Sequence, residues 1–170
     1  QDKDDLLWER VRRRVQAVRA QDAAEYLQRL ELDADEWTAL EAELTIGETY
    51  FFRYAEQFAA LRDSILPQLL ERNAAERRLR IWSAGCATGA EPYSLAILLH
   101  EMLGEGLRGW RISILGTDLN EQFLAAAETG VFGPWALRSL SPQQRAQWFI
   151  AEPGGRFRLR PQYKALVRFQ

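Results

Sequence analysis

The chain has 170 residues, 47% hydrophobic and 27% charged, with a net charge of −2: globular composition with no bulk attraction to nucleic acid. A single cysteine excludes an internal disulfide and a single histidine excludes a His-rich metal centre, so neither a structural zinc nor a Ser-His-Asp triad is expected. No apolar run is long enough to cross a bilayer and the N-terminus lacks signal-peptide character, so a reducing, cytoplasmic location is the default expectation.

Residues 5–72 read as helical. Leu7, Val11, Val15 and Val18 form one apolar stripe, AEYLQRL (24–30) turns Tyr26, Leu27 and Leu30 inward, and Trp37, Leu40 and Leu44 form a third face. A further helix carries Phe58, Leu61, Ile65 and Leu69, with Pro67 expected to kink it or start a new turn. The polar run at 72–78 marks a boundary, after which the texture changes. LRIWSAG (79–85) is a strand ending in a glycine turn, EPYSLAILLHEML (91–103) a helix, WRISILGTD (110–118) a largely buried strand, and NEQFLAAAETG (120–130) a helix closed by Gly130. That alternation predicts a parallel sheet with crossover helices. Ser141 to Gln144 has capping-box spacing with proline at the first helical position. WFIAEPGGRFRLR (148–160) reads as a hairpin, with Arg156, Arg158 and Arg160 on its polar face, and VRFQ (167–170) as a last strand. With three strands the sheet is small, and the α/β domain is expected to be truncated at its C-terminus.

Ligands of open parallel sheets sit at the carboxyl ends of the strands. Two loops reach that place. In AGCATGAE (84–91), Gly85 and Gly89 permit close backbone approach and Glu91 opens the next helix. Asp118 ends the second strand, where a carboxylate can accept from both ribose hydroxyls. The loop is neither G-x-G-x-x-G nor a phosphate loop with Gly-Lys-Ser/Thr. Glu91 at the helix start would compete with a phosphate for the positive end of the dipole. A nucleoside with a cationic group and no phosphate suits it better, and S-adenosylmethionine is such a molecule. Cys86 reads as a small buried thiol and His100 as a surface or partly buried polar residue.

TIGETYFFR (45–53) places Arg53 directly behind Tyr50, Phe51 and Phe52. By themselves these residues leave two readings open, an interdomain salt bridge or a cation aimed at a bound carboxylate. The basic run Arg10, Arg12, Arg13, Arg14 and Arg19 is either a solvated face or a docking face. Arginines number 20 against two lysines, a bias that coding composition alone can produce.

TIGETYFFR, RIWSAGCATGAEPYSLA (80–96), GTDLN (116–120) and SPQQRAQWF (141–149), taken together, resemble the CheR family of chemoreceptor glutamate methyltransferases, over nearly the whole chain. The resemblance implies a Rossmann-like S-adenosylmethionine-dependent methyltransferase fold with a β-subdomain, preceded by a small all-helical domain. It divides the chain into a helical domain and linker (1–53), a connecting helix (54–78) and an α/β core (79–170) with the hairpin near 148–160. It implies methyl transfer to glutamates on the cytoplasmic helical bundle of a receptor, with S-adenosylhomocysteine as product. Arg53 takes the place of the active-site arginine, and Thr49, Arg53, Glu91, Asp118 and Gly85 contact the cofactor. Gly47 belongs to that set too, although many relatives carry asparagine there and its side-chain contact is lost or replaced here. Arg10, Arg13 and Arg14 are assigned to the receptor-facing surface. The compact EPGG turn points to a member that does not dock a receptor's C-terminal peptide, and no nucleic-acid or membrane-inserted partner is implied. The family completes its cofactor site with strands beyond VRFQ, so activity of this chain is left open. The rival readings are a noncatalytic receptor-binding module on the same scaffold and, from the glycine loop and Asp118 alone, a nicotinamide-dependent oxidoreductase.

Overall fold

The computed structural model describes residues 3–45 and 47–170. The chain divides into two compact units: the segment before Gly47 together with Leu119–Gln122, and Gly47–Asp118 with Phe123–Gln170. The first unit is helical: α1 (Lys3–Ala17), α2 (Ala23–Leu32) and α3 (Ala34–Leu44). Asp22 caps α2 by accepting from Glu25 N, and Asp33 caps α3 by accepting from Asp35 N and Glu36 N. Asp33 also ends α2, so one extended residue stops one helix and starts the next. Asn120 completes the unit by donating to Ala42 O and Thr45 Oγ1 at 3.2 and 2.8 Å. Tyr26 and Leu40 are buried as the periodicity predicts, but Leu27 is 58% exposed rather than inward. Successive helical residues point about 100° apart, so a narrow contact buries one of the two. Tyr26 takes that place because its hydroxyl finds a partner inside, Glu36 Oε1 at 2.9 Å.

The second unit opens with a composite helix: α4 (Ala55–Ala60), a π turn (Leu61–Ile65) and α5 (Leu66–Arg72). Pro67 has no N–H to give and its ring would press on the carbonyl four residues back. The wider π turn just before it accommodates both defects. It also shifts the apolar face, so Leu66 is buried at 2% while Ile65, expected inward, is 46% exposed.

Next come β1 (Arg78–Ala84), α6 (Ala90–Leu103), β2 (Arg111–Thr117) and α7 (Glu121–Thr129), ended by Gly130 at φ 66°. β1 pairs in parallel with β2 from Arg78↔Arg111 to Ala84↔Thr117, and β2 pairs in parallel with β6 (Val167–Phe169), giving the order β1-β2-β6. α6 packs against the sheet, and its residues from Pro92 to Leu99 are all buried. Burial alternates along β1, with Leu79 and Ser83 inward and Trp82 70% exposed on the opposite face. The predicted hairpin is present as β4 (Phe149–Glu152) and β5 (Arg156–Leu159), preceded by α8 (Pro142–Trp148) with both halves of the Ser141/Gln144 capping box. A two-residue strand, β3 (Val131–Phe132), extends it to the order β3-β5-β4, and α9 (Pro161–Lys164) leads into β6. Phe51 meets Phe132 and Phe149 edge-to-face, each at 4.9 Å, fusing this small sheet to the core of the unit. Among the described residues no helix is long and apolar enough to cross a membrane, and no cluster of metal-ligating side chains occurs.

Candidate functional site

β1 and β2 run in register, so their carboxyl ends, Ala84 and Thr117, lie side by side. The loop after β1 folds back over β2: Cys86 N donates to Thr117 O at 2.9 Å, and Ala87 N donates to Asp118 Oδ2 at 2.8 Å. Gly85 makes this reversal at φ 70°, a conformation that strains residues with a side chain. A Cβ on Gly85 would meet nothing within 4 Å, so its backbone faces open space. Glu91 lies in the first turn of α6 and is fastened from β1, where Ser83 Oγ donates to its Oε1 at 2.6 Å. Cys86 sits among these groups. Burial, then the Asp118 and Glu91 carboxylates, push its thiol up to about 11, so it is protonated at neutral pH. Gly85, Glu91 and Asp118 are thus gathered by the structure into one mouth carrying two carboxylates and bare backbone.

The segment 47–53 packs with the same unit. Phe51 is fully buried, its N–H donates to Ala136 O at 2.9 Å, and its carbonyl accepts from Ser139 Oγ. Phe52 N donates to Ser94 Oγ at 2.9 Å, on α6, three residues beyond Glu91 and so on the same helical face. Phe52 and Tyr54 are left-handed at φ 54° and 60°. Each costs on the order of 1–2 kcal/mol for a residue with a side chain and persists where the surroundings over-determine it. Arg53, between them, is held on a strained turn. Its Nη1 donates to Glu48 O at 2.6 Å, and its guanidinium lies 4.9 Å from the Tyr54 ring centre and 5.9 Å from that of Tyr50. None of its hydrogen bonds or ion pairs among the described residues goes to Glu91 or Asp118. Thr49 is half-buried on this segment. Gly47 lies against Phe123, whose ring would stand 2.4 Å from an added Cβ, so no side chain fits there while the ring holds its place.

Arg10, Arg13 and Arg14 belong to the other unit, and each is engaged within it. Arg10 Nη1 donates to the carbonyls of Glu43, Leu44 and Thr45, collecting the open C-terminal end of α3. Arg14 grips Glu36 with two hydrogen bonds, at 3.1 and 2.7 Å. The Arg14 guanidinium holds the Glu36 carboxyl below its ordinary range, while burial and the adjoining carboxylate push Tyr26 up to about 12. Arg13 is 56% exposed and pairs with Glu43 at 3.0 Å.

Ser83, Ser94 and the Ala87 N–H were not singled out from the sequence, since their parts depend on which strand and helix residues face each other. Arg138 was missed for the same reason. Its guanidinium sits 3.6 Å from the Tyr50 ring centre and 4.0 Å from that of Trp135, and pairs with Glu48 at 3.2 Å.

A family model described as CheR methyltransferase, SAM binding domain, matches residues 47–170, and one described as CheR methyltransferase, all-alpha domain, matches residues 1–45. Chemotaxis protein methyltransferase 1 of Pseudomonas aeruginosa is 37% identical over 132 residues, covering 75% of this chain and 47% of that protein. The chemotaxis protein methyltransferase of Salmonella typhimurium is 34% identical over 172 aligned positions, covering 98% and 57% respectively. A probable chemotaxis protein methyltransferase of Rhizobium etli is 38% identical over 129 residues, covering 74% and 48%. The chain spans about half the length of the curated relatives it matches.

Proposed function

Because the chain belongs to the CheR methyltransferase family, we propose that it transfers a methyl group from S-adenosylmethionine to glutamate side chains on the cytoplasmic helical bundle of a chemoreceptor, releasing S-adenosylhomocysteine. The observation that carries this reading is Arg53, fixed between two left-handed residues on a segment pinned to α6, the helix whose first turn holds Glu91. Conformational strain of this kind is retained where a side chain must be presented in one direction.

The donor set suits the cofactor. Asp118 can accept from both hydroxyls of a ribose, while Glu91, steadied by Ser83, offers a negative charge to a cationic group. The open face at Gly85 leaves room for close approach, and nothing at the mouth resembles a phosphate cradle. When bound, the cofactor supplies an electrophilic methyl on a sulfonium. The chain's own residues have a simpler task than acid–base catalysis. A glutamate side chain, with a reference pKa of about 4.3, reaches the site ionised and needs no base to become a nucleophile. What it needs is loss of water and alignment with the methyl–sulfur axis. A guanidinium can fix a carboxylate through two parallel hydrogen bonds, which is the role assigned to Arg53, with Thr49 and the backbone at Gly47 and Gly85 framing the cofactor.

In this reading the basic helix α1 faces an acidic receptor surface. Arg13 supplies exposed charge to it, while Arg10 and Arg14 set the shape of the helical unit from which that charge projects. The hairpin turn of Pro153, Gly154 and Gly155 is compact, which favours an enzyme that works without docking a receptor tail. A cytoplasmic location follows from the nature of that substrate.

The test is transfer of labelled methyl from S-adenosylmethionine by the full-length protein to a receptor cytoplasmic fragment, followed by mild base. Glutamyl methyl esters release methanol under base and N-methyl groups do not. Base-labile label lost in Arg53→Ala is the expected result; base-stable label, or none, would overturn the reading.

A further inference from the structure

Arg138 brings a second cation to the segment that presents Arg53. Its guanidinium is stacked between the Tyr50 and Trp135 rings, with Nη1 donating to Trp135 O at 2.9 Å and Nη2 to Glu48 Oε1 at 3.2 Å. Arg53 lies over the same Tyr50 ring and donates to the main chain of the same Glu48. The cluster thus holds two guanidinium groups and one carboxylate, which among the described residues pairs with Arg138 alone, so its contacting side chains are net positive. It faces water: Trp135 is 65% exposed, Glu48 54% and Arg138 26%.

The fold gains little from this arrangement. An exposed ion pair is worth about 0–1 kcal/mol, and an exposed cation–π contact about as much. What the two rings do provide is orientation. A planar guanidinium clamped between aromatic faces keeps its fork of donors in one plane, so a ligand carboxylate does not have to order it. Of those donors two are engaged, and the remainder have no partner among the described residues. The 3.2 Å contact with Glu48 is also longer than the roughly 2.7–2.9 Å of a tight charge-assisted bond, which leaves the cation open to a second or better-placed carboxylate.

Resting on the methyltransferase reading, we infer that Arg138 is a second carboxylate subsite, which binds an acidic side chain neighbouring the target glutamate on the receptor helix. Two glutamates one turn apart lie on one helical face with Cβ atoms about 5–6 Å apart. Arg53 and Arg138, both against the Tyr50 ring, are set to receive such a pair. Target selection then depends on the acidic neighbour as well as on the glutamate that is methylated.

The experiment compares two helical peptides with the full-length protein. One bears a target glutamate and a second glutamate one turn away; in the other the second glutamate is glutamine. Binding is read by fluorescence anisotropy and methylation by kcat/KM, for the wild type, Arg138→Gln and Arg138→Lys. A charged hydrogen bond contributes about 1.5–3 kcal/mol, so the wild type prefers the two-glutamate peptide by about tenfold or more. Arg138→Gln brings that preference to about one, and Arg138→Lys recovers part of it through charge without the fork. A cluster that merely supported Tyr50 and Trp135 would weaken both peptides alike and leave the ratio unchanged, which would overturn the inference. Because binding is read without turnover, absence of methyl transfer would count against the methyltransferase reading while the anisotropy ratio still decides the role of Arg138.

Discussion

Replacing Arg14 by alanine isolates the interaction that holds the helical unit together. Glu36 is 5% exposed and takes two hydrogen bonds from Arg14, at 3.1 and 2.7 Å, plus one from the Tyr26 hydroxyl at 2.9 Å. Without Arg14 a buried carboxylate keeps one neutral donor. Breaking a buried pair in this way costs about 3–5 kcal/mol, and the 23% exposure of Arg14, which lets water reach the site, favours the lower figure. Amide exchange of α1–α3, followed by mass spectrometry on the full-length protein, reads that loss in one unit without the other. At about 1.4 kcal/mol per decade, exchange should quicken by about 100-fold. The pH dependence has a definite sign. The Glu36 carboxyl is held below its unfolded value of about 4.3, so its contribution is complete above that pH and fades as pH falls through the lower folded value. Exchange in Arg14→Ala within threefold of wild type, or protection of α1–α3 unchanged through acid, would refute the reasoning. The result also governs any test of receptor docking: charge reversal at Arg14 would unfold the surface it is meant to probe, whereas Arg13→Glu alters an exposed residue.

Asp118→Ala should weaken S-adenosylhomocysteine binding by at least about tenfold to a hundredfold in calorimetry on the full-length protein, since each charge-assisted hydrogen bond lost costs about 1.5–3 kcal/mol. Gly47→Asn should lower stability by about 1–3 kcal/mol in a denaturant titration, because its Cβ falls 2.4 Å from the Phe123 ring, and Phe123→Ala should restore most of the loss. Cys86, buried and with its thiol pushed up to about 11, should resist iodoacetamide at pH 8 in the native protein and react once unfolded.

The strand–loop–helix–strand core was legible because its signals are local: apolar runs of strand length, glycines at the reversal, and an acid at the end of the second strand. The capping box at Ser141 was legible for the same reason. The register of the first helices was less so. Tyr26 and Leu27 are adjacent apolar residues, and which one turns inward was decided by Glu36, ten residues on. The π turn before Pro67 exchanged Ile65 for Leu66 in the core, a shift that periodicity alone does not encode. β3 is two residues long, too short to show alternation. The site divides similarly. Glu91, Asp118 and Gly85 follow from topology, whereas Glu48 and Arg138 are 90 residues apart and meet only through tertiary packing. The basic run on α1 looked like one surface; folding turns Arg10 and Arg14 to the interior business of capping α3 and pairing Glu36.

A crystal structure of the full-length protein with S-adenosylhomocysteine tests the central claim most directly. The account predicts the ribose hydroxyls on the Asp118 carboxylate, the nucleoside spanning the ends of β1 and β2, and the Arg53 guanidinium on the thioether side of that mouth. A nucleoside seated elsewhere, or Arg53 directed away from it with the ligand in place, would contradict it.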